Sequence, residues 1–444
     1  MSPAAGILLG AALLGWPAVL NGYPLVFSDT GAFLAQTIEA WPVWDKPPVY
    51  GPLLHALHWR TTLWLPLAAQ VVVLSWLLWL VQRVLDGVTT GRHLLLCAGL
   101  AAATAAPWYA ALLMPDWLAP ALVLALFLLG FGWEALGRVE RSALGLLALL
   151  AAAAHLSHLP VAAALVLLVL AVRRAWRPAL RCALPLLGAL ALLVAANGWT
   201  QGRWAVSPHG AVFALARLVA DGPAARTIDA RCPGAGWHLC HWAGRLPRDS
   251  DDFLWAGDGP VWAPRLDGAQ PGGPISLAPE AGAIVAETLR REPLGVLRAM
   301  AANALRQLGR ARVGDTLGPE NLAASVARQL ALGFPLAEQA RFAASLQAQG
   351  SLRQLAAPFL VLHPAALLLG AAGTLLAWRR AGGPRQLGLV LCVLVGITAN
   401  AAATGALSGP HDRYQARIAW LLPLAALLAW PGGTRGSRPR AQIV

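Results

Sequence analysis

The chain has 444 residues, of which 57% are hydrophobic and only 12% are charged. Soluble domains carry about 25% charged residues, so this composition excludes an ordinary soluble protein and favours a membrane protein. The net charge of +13 comes almost wholly from arginines at the ends of apolar runs, where they set membrane orientation, and this placement argues against nucleic-acid binding.

Ten apolar runs are candidate membrane spans, since a span needs about 20 apolar residues and fewer where neighbouring helices shield it. In chain order they are 4–21, 62–83, 94–113, 117–133, 142–156, 159–172, 182–197, 357–377, 386–404 and 417–431. The fifth and sixth are short, and one long helix over 142–172 is the alternative. Arginines lie at both ends of that stretch, which favours a hairpin.

Arginine-bearing connections alternate with arginine-poor ones along the chain. The arginines concerned are Arg83, Arg92, Arg138, Arg141, Arg173, Arg174, Arg177, Arg181, Arg379, Arg380, Arg385, Arg435, Arg438 and Arg440. The positive-inside rule assigns these connections and both termini to the cytoplasm. The first apolar run has no A-x-A-like cleavage site and is predicted to stay as the first helix. Richness in alanine, glycine and arginine suggests a GC-rich bacterial genome, and hence the bacterial inner membrane.

We therefore predict a mainly α, polytopic transmembrane helix bundle with an inserted, mostly helical extracytoplasmic domain. Its parts are an N-terminal module of about seven spans over 1–197, with a first extracytoplasmic loop at 22–61, the insert at 198–356, and a C-terminal module of about three spans over 357–444. In the insert, apolar positions at helical spacing predict helices within 278–308 and 320–347.

Two of the five cysteines, Cys232 and Cys240, lie close together in the insert. In an oxidising compartment this spacing favours a disulfide. Two free thiols are one alternative, and a zinc site that also uses His238 and His241 is another.

Two acids lie at the predicted extracytoplasmic boundary of the membrane. Asp29 follows the first span in Ser-Asp-Thr, and Asp116 lies in Met-Pro-Asp-Trp between the third and fourth spans. Either could be a helix N-cap, for which Asp is a favoured residue. Because both fall at the same depth, they also meet the requirement for a paired carboxylate site, and a cap can also be catalytic.

Several short motifs occur in a distinctive order: Asp29 after the first span, Pro-Pro-Val-Tyr-Gly-Pro-Leu-Leu at 47–54, Asp116 in the next such loop, the insert after the seventh span, Arg413-Tyr414, and Leu-Leu-Pro-Leu at 421–424. This order resembles the GT-C glycosyltransferases, which include the protein O-mannosyltransferases and the lipid A aminoarabinose transferase. The resemblance covers the predicted topology of the whole chain.

The resemblance implies transfer of a sugar from a polyprenyl-phosphate carrier to an acceptor hydroxyl or amine outside the cytoplasm, with inversion at the anomeric carbon. Asp29 would then be the general base and Asp116 would orient the acceptor or support the base. Lys46 and Arg413 would bind the phosphate leaving group. The lipid-linked sugar and the bilayer are the expected partners, the acceptor is not specified, and no cofactor is implied.

Five further residues are substrate-binding candidates at the same depth: Tyr50, His155, His158, His411 and Tyr414. A structural or solvated role is the alternative for His155 and His158, and a local salt-bridge cluster is the alternative for His411. Two acids and two histidines at one level also leave a divalent cation open.

Two other functions compete with glycosyl transfer. One is transport or flipping of a lipid-linked substrate, although the spans show no inverted repeat and few intramembrane charges. The other is a non-catalytic membrane scaffold that binds a partner through residues 198–356.

Overall fold

The computed structural model describes residues 2–40, 42–264 and 272–429, and these ranges are built from helices. The first ten helices are α1 (Pro3–Asn21), α2 (Ser28–Ile38), α3 (Tyr50–His58), α4 (Trp64–Leu85), α5 (Thr90–Ala103), α6 (Ala106–Ala110), α7 (Leu118–Phe131), α8 (Arg138–Ala154), α9 (His158–Arg173) and α10 (Trp176–Gln201). The prediction of a mainly α fold is confirmed.

The remaining helices belong to the insert and the C-terminal part. They are α11 (Gly210–Ala220), α12 (Pro223–Arg231), α13 (Ser250–Trp255), α14 (Pro274–Arg291), α15 (Pro293–Leu308), α16 (Arg328–Gly333), α17 (Leu336–Ala343), α18 (Leu352–Leu360), α19 (His363–Arg380), α20 (Pro384–Leu407), α21 (Asp412–Ala419) and α22 (Leu421–Ala429). Arg435, Arg438 and Arg440, which contribute to the predicted orientation, lie outside the described residues.

Within the described ranges, four helices are long and apolar enough to cross a membrane: α1, α4, α10 and α20. The pair α18–α19, which bends by 40°, makes a fifth if it is one span. These helices indicate a membrane protein. Ten spans are more than the helix lengths alone support, because several of the predicted spans are short or broken.

Prolines account for three of the breaks. The predicted span 94–113 divides into α5 and α6 before Pro107, 357–377 divides between α18 and α19 before Pro364, and 417–431 divides between α21 and α22 before Pro423. A proline has no N–H for the carbonyl four residues earlier, and its ring clashes with that carbonyl. The stretch 142–172 is broken too, into the helices α8 and α9, as a hairpin requires.

Helix α7 lies at the centre of the bundle, since every one of its residues is buried. It packs against α4, α8, α9, α10 and α20. Its uniformly apolar sequence, Leu-Ala-Pro-Ala-Leu-Val-Leu-Ala-Leu-Phe-Leu-Leu-Gly-Phe, is what a helix surrounded by other helices requires.

The insert packs in two parts. Helices α11 to α14 surround a core of their own, which Trp44 of the first loop joins. Residues 317–356 instead belong to the main core of the bundle. They are fastened to the first loop by buried polar contacts: Glu338 accepts from Tyr23 Oη at 2.8 Å, and Gln347 Nε2 donates to the carbonyl of Val26. The first loop is therefore held between the bundle and both parts of the insert.

Cys232 and Cys240 are joined by a disulfide in the structure, with their Cα atoms 5.3 Å apart. That separation lies within the usual range for a disulfide. The alternative zinc site finds no support in the described ranges, where no group of three or more His, Cys, Asp or Glu side chains could hold a metal ion.

Candidate functional site

The two loops that carry the acids lie side by side. Leu25 and Leu112 form an isolated parallel bridge, and the N–H of Leu113 donates to the carbonyl of Leu25 at 2.8 Å. Asp29 and Asp116 each come four residues after a bridge residue, 29 − 25 and 116 − 112. Because the bridge is parallel, both acids follow it in the same direction and enter the same region of the protein.

Asp29 lies between two cations. Its Oδ1 is 3.3 Å from Lys46 Nζ, and its Oδ2 is 3.4 Å from Arg413 Nη2. The residue at the N-cap of α2 is Phe27, so Asp29 does not cap that helix and lies in its first turn. The capping alternative is therefore wrong for Asp29, whose two carboxylate oxygens each pair with a cation.

The same ion pairs set the protonation of Asp29. Burial alone would raise the pKa of its carboxyl, but the charges of Lys46 and then Arg413 outweigh burial and hold that pKa below its usual value. Burial likewise works against the charged form of Lys46, yet Asp29 and Asp45 raise its pKa well above the usual range. Asp29 is thus ionised at neutral pH, and the paired cations make it a weak base.

The Pro-Pro motif fixes the position of Lys46. Gln36 Nε2 of α2 donates to the carbonyl of Pro47 at 3.1 Å, and Gln36 Oε1 accepts from the N–H of Gly51 at 3.2 Å. A Cβ at Gly51 would lie 2.4 Å from that oxygen, so only glycine permits this approach of α3 to α2. Lys46 directly precedes the segment held in this way.

Tyr50 is buried beneath the site rather than on its surface. Its ring packs edge-on against Phe33 with centroids 4.9 Å apart. Burial raises the pKa of Tyr50 well above its usual value, and its hydroxyl has no hydrogen-bond partner in the described part of the chain. The structure therefore gives Tyr50 a packing contact, and the indole of Trp117 lies near enough to its hydroxyl to oppose part of the rise in pKa.

Arg413, the second cation beside Asp29, is held by aromatic rings and by Asp315. Its guanidinium lies over the rings of Phe27 and Tyr414, 4.5 and 5.0 Å from their centroids, and Nη2 also approaches Tyr414 Oη at 3.4 Å. Its backbone N–H donates to Asp315 Oδ2 at 3.0 Å. Nη1 is buried and has no hydrogen-bond partner among the described residues. Arg413 thus has one free N–H edge.

Asp116 pairs with Arg417 in a fully enclosed setting. Arg417 Nη1 lies 3.3 Å from Asp116 Oδ1, and their side chains are 0% and 2% exposed. Arg417 Nη2 also donates to Ser157 Oγ and to Asn400 Oδ1, each at 3.0 Å. The Nε of Arg417 has no partner within the described ranges.

One helix connects the two acids. Arg413 and Arg417 are four residues apart on α21, so they lie on the same face one turn apart. Burial works against the charge of Arg413, but Tyr414, Asp29 and Asp116 together raise its pKa well above the usual range. Both carboxylates therefore act on one guanidinium, and the structure brings Asp29 and Asp116 into one cluster.

The three histidines occupy different places around this cluster. His155 Nδ1 pairs with Ser157 Oγ at 2.8 Å, which places it beside Arg417. His158 lies behind it, with ring centroids 5.2 Å apart and Nδ1 at 2.7 Å from a backbone carbonyl. His411 lies at the rim, where its ring meets Tyr414 edge-on at 5.5 Å. His155 shares a hydrogen-bond partner, Ser157 Oγ, with the buried Arg417.

The residues of the site that were absent from the prediction include Arg417 and Asp315. Arg417 was counted as the first residue of the last span, although an arginine in an apolar run, one turn after Arg413, is itself a sign of function. Asp315 lies in the insert, about a hundred residues from Arg413, and no local pattern links the two. Burial and the charges of Asp412 and Asp116 raise the pKa of Asp315, in contrast to Asp29.

Comparison of the chain with protein-family models, with curated proteins and with solved structures gives no match.

Proposed function

We propose that the chain is an inverting membrane glycosyltransferase that moves a sugar from a polyprenyl-phosphate carrier to an extracytoplasmic acceptor. One observation carries this proposal: buried guanidinium N–H groups of Arg413 and Arg417 have no partner in the described part of the chain, next to a partly exposed carboxylate. Unsatisfied buried donors on charged groups are costly, and a phosphate oxygen would satisfy them.

Exposure assigns different roles to the two acids. The Asp29 side chain is 25% exposed, whereas that of Asp116 is 2% exposed and its Oδ1 lies 3.3 Å from Arg417 Nη1. A general base must reach the acceptor proton within hydrogen-bonding distance. Asp29 is therefore the base, and Asp116 is a positioning residue that holds Arg417 and, through α21, Arg413.

Donor binding would activate the base. The phosphate of the carrier attracts Lys46 and Arg413 away from Asp29, and the loss of those contacts raises the pKa of Asp29. The acceptor oxygen or nitrogen then attacks the anomeric carbon and gives its proton to Asp29. The bond from that carbon to the phosphate oxygen breaks, and its electron pair stays on the phosphate, which the cations stabilise.

The topology belongs to the same proposal. Ten spans with both termini in the cytoplasm place the first loop, residues 198–356 and the start of α21 on the extracytoplasmic side. The short helices, such as α7 and α9, can complete the count because they lie among longer neighbours. This arrangement puts the polar cluster at the depth of a lipid phosphate.

Binding of a synthetic short-chain polyprenyl phosphate tests the proposal. Arg413→Lys should weaken binding by about tenfold or more, because a lysine cannot reproduce the two-pronged grip of a guanidinium. Arg379→Lys, at the exposed end of α19, is the matched control and should bind as the wild type does. Equal affinity in Arg413→Lys and wild type would contradict the assignment of Arg413 to the phosphate.

A further inference from the structure

Helix α15 of the insert exposes leucines and buries amides, which is the reverse of a surface helix in water. Four leucines are between 40% and 70% exposed: Leu294, Leu297, Leu305 and Leu308. They are spaced by three, eight and three residues, so they lie along one face of the helix. The residues that α15 buries include Asn303 and Gln307, both 0% exposed. An amphipathic helix in water would place its leucines inside and its amides outside.

The helix that α15 packs against is long and apolar enough to cross a membrane. This helix is α20, and a Cβ at its Gly405 would lie 2.7 Å from the carbonyl oxygen of Asn303 in α15. With 24 residues, α20 is about 36 Å long, which is less than the roughly 40–45 Å of a bilayer with its headgroups. When α20 spans a bilayer, a helix packed along it therefore lies at bilayer depth. Gly405 is in the last turn of α20, which places this contact at the level of the headgroups.

Two exposed arginines lie beside the leucine face. Arg298 follows Leu297 and Arg306 follows Leu305, and both arginines are exposed. One residue turns an α-helix by about 100°, so the two arginines lie on the same edge of the leucine face. A guanidinium binds phosphate oxygens well, and the long arginine side chain can reach from an apolar face to the headgroups. Leucines with arginines along one edge are typical of a helix that lies in the membrane surface.

We propose that α15 lies in the extracytoplasmic leaflet of the bilayer, with its four exposed leucines among the acyl chains and with Arg298 and Arg306 on the phosphates of phospholipid headgroups. The partner of this face is phospholipid, because the face adjoins α20 and its positive charges complement lipid phosphates. The insert is then attached to the membrane by a lipid contact of its own, besides its packing on the bundle. The side of the membrane follows from the proposed orientation, but the contact with lipid does not depend on it.

The same helix fixes the start of α21. Gln307 Nε2 donates to the carbonyl of His411 at 2.8 Å, and the N–H of His411 donates to Gln307 Oε1 at 2.9 Å. Arg310, just after α15, donates from Nη1 to the carbonyl of Pro410 at 2.7 Å. A helix that lies among the headgroups thus holds α21, and with it Arg413, at a fixed depth. The consequence for Arg413 as a phosphate ligand rests on the proposed function, whereas the contact of α15 with lipid does not.

An environment-sensitive fluorophore on Leu297→Cys, with the full chain in phospholipid nanodiscs, tests the contact. The native thiols are buried or joined in the disulfide, so the fluorophore attaches to the introduced cysteine. Its emission should be blue-shifted, and phosphatidylcholine with a nitroxide near the head of its acyl chain should quench it. Leu369→Cys, on the exposed face of α19, is the positive control for a probe in hydrocarbon. Arg245→Cys, at an exposed polar position of the insert, should show water-like emission without quenching.

A second variant needs no label. The double change Leu297→Gln and Leu305→Gln keeps the helix propensity, because glutamine and leucine are similar helix formers. In lipid the new amides would lie in hydrocarbon without partners, so the melting temperature in nanodiscs should fall. Water-like emission at Leu297→Cys, or an unchanged melting temperature in the double variant, would overturn the proposal. Blue-shifted emission that the nitroxide lipid does not quench would also overturn it, since a protein surface such as a second copy would then cover the leucines.

The fluorescence measurement also separates this inference from the proposed function. It uses no donor and no acceptor, so Asp29→Asn, which removes the proposed base, should leave the lipid quenching at Leu297→Cys unchanged. A protein that shows this quenching but binds no polyprenyl phosphate would keep α15 in the leaflet and lose the glycosyltransferase reading. A protein that binds polyprenyl phosphate but shows water-like emission at Leu297→Cys would keep the donor site and lose the membrane contact of α15.

Discussion

Asp116 and Arg417 form the most enclosed ion pair of the cluster, with side chains 2% and 0% exposed. Removing one partner of a buried pair leaves the other charge uncompensated. Asp116→Asn should therefore lower the free energy of unfolding by about 3–5 kcal/mol. Thermal unfolding in detergent measures the loss, and Asp29→Asn, at a site 25% exposed, should cost far less. Equal losses would show that Arg417 does not depend on Asp116.

The pKa of Asp29 predicts the pH dependence of turnover. In the free protein its pKa lies below the usual value of about 3.9, so the base is protonated and lost only as the pH falls through that depressed value. In the donor complex Lys46 and Arg413 pair with the phosphate instead of Asp29. The pKa of Asp29 is therefore higher, and Asp29 becomes protonated at a higher pH than in the free protein. Because kcat/KM reports the free enzyme and kcat reports the complex, the acid limb of kcat should lie at higher pH.

Lys46→Gln supplies the control for this pH profile. Loss of the Lys46 charge removes the larger of the two attractions that depress the pKa of Asp29, so the acid limb of kcat/KM should move upward. Coincident limbs for kcat and kcat/KM in the wild type would contradict activation of the base by the donor.

For single residues, the sequence could locate members of the site but could not predict which of them contact one another. Asp29 was predicted from its depth at the membrane boundary, and the roles of Lys46 and Arg413 followed from the resemblance to the GT-C glycosyltransferases. The contact between Asp29 and Arg413 joins residues 384 positions apart, and no local periodicity carries that information. Arg417 escaped prediction because its charge was absorbed into an apolar run, where the number of residues needed for a span outweighed the cost of a buried arginine.

Among the elements, α15 and α20 make one of the closest contacts. A Cβ at Gly405 of α20 would lie 2.7 Å from the carbonyl oxygen of Asn303 in α15. Gly405→Ala should therefore force the helices apart and destabilise the protein by about 1–3 kcal/mol, which thermal unfolding can measure. Gly99→Ala in α5 is the matched control, because a Cβ there meets no atom within 4 Å. An unchanged melting temperature in Gly405→Ala would mean that α15 can move away from α20.

Helix identity was more predictable than helix length. Apolar runs of about 20 residues predicted the positions of α1, α4, α10 and α20, because such long runs have few alternatives to a helix. The breaks before Pro107, Pro364 and Pro423 depend on whether a proline is tolerated, which packing decides. The close fit of α19 to Pro423, whose N lies 2.5 Å from a Cβ built on Gly370, shows such packing.

For the whole molecule, orientation is the central structural prediction. In intact cells a membrane-impermeant maleimide should label Arg245→Cys in the insert. It should label Arg177→Cys, in the first turn of α10, only after the membrane is permeabilised, because the proposed orientation places the arginine-rich connections in the cytoplasm. Both positions are exposed, so access depends on sidedness rather than on burial. The reverse pattern would place the polar cluster on the cytoplasmic side.

The division of the insert illustrates what the sequence could not supply. Its amphipathic helices were predicted, but residues 317–356 pack into the main core while α11 to α14 form a separate one. Buried polar residues such as Glu338 and Gln347 make the connection to the first loop. In the sequence they look like surface positions of amphipathic helices, and only the tertiary contacts show that they are interior.

The most direct test of the account is turnover of a defined donor. Purified protein in liposomes would be mixed with a panel of synthetic polyprenyl-phosphate sugars. Envelope membranes from a deletion strain, in which the gene for this protein has been removed, would supply the acceptor. Mass spectrometry would follow release of free polyprenyl phosphate and gain of sugar by the acceptor. The account predicts both with the wild type for at least one donor, and loss of about 10²-fold or more with correctly folded Asp29→Asn. Undiminished transfer by Asp29→Asn, or no transfer by the wild type from any donor, would contradict it.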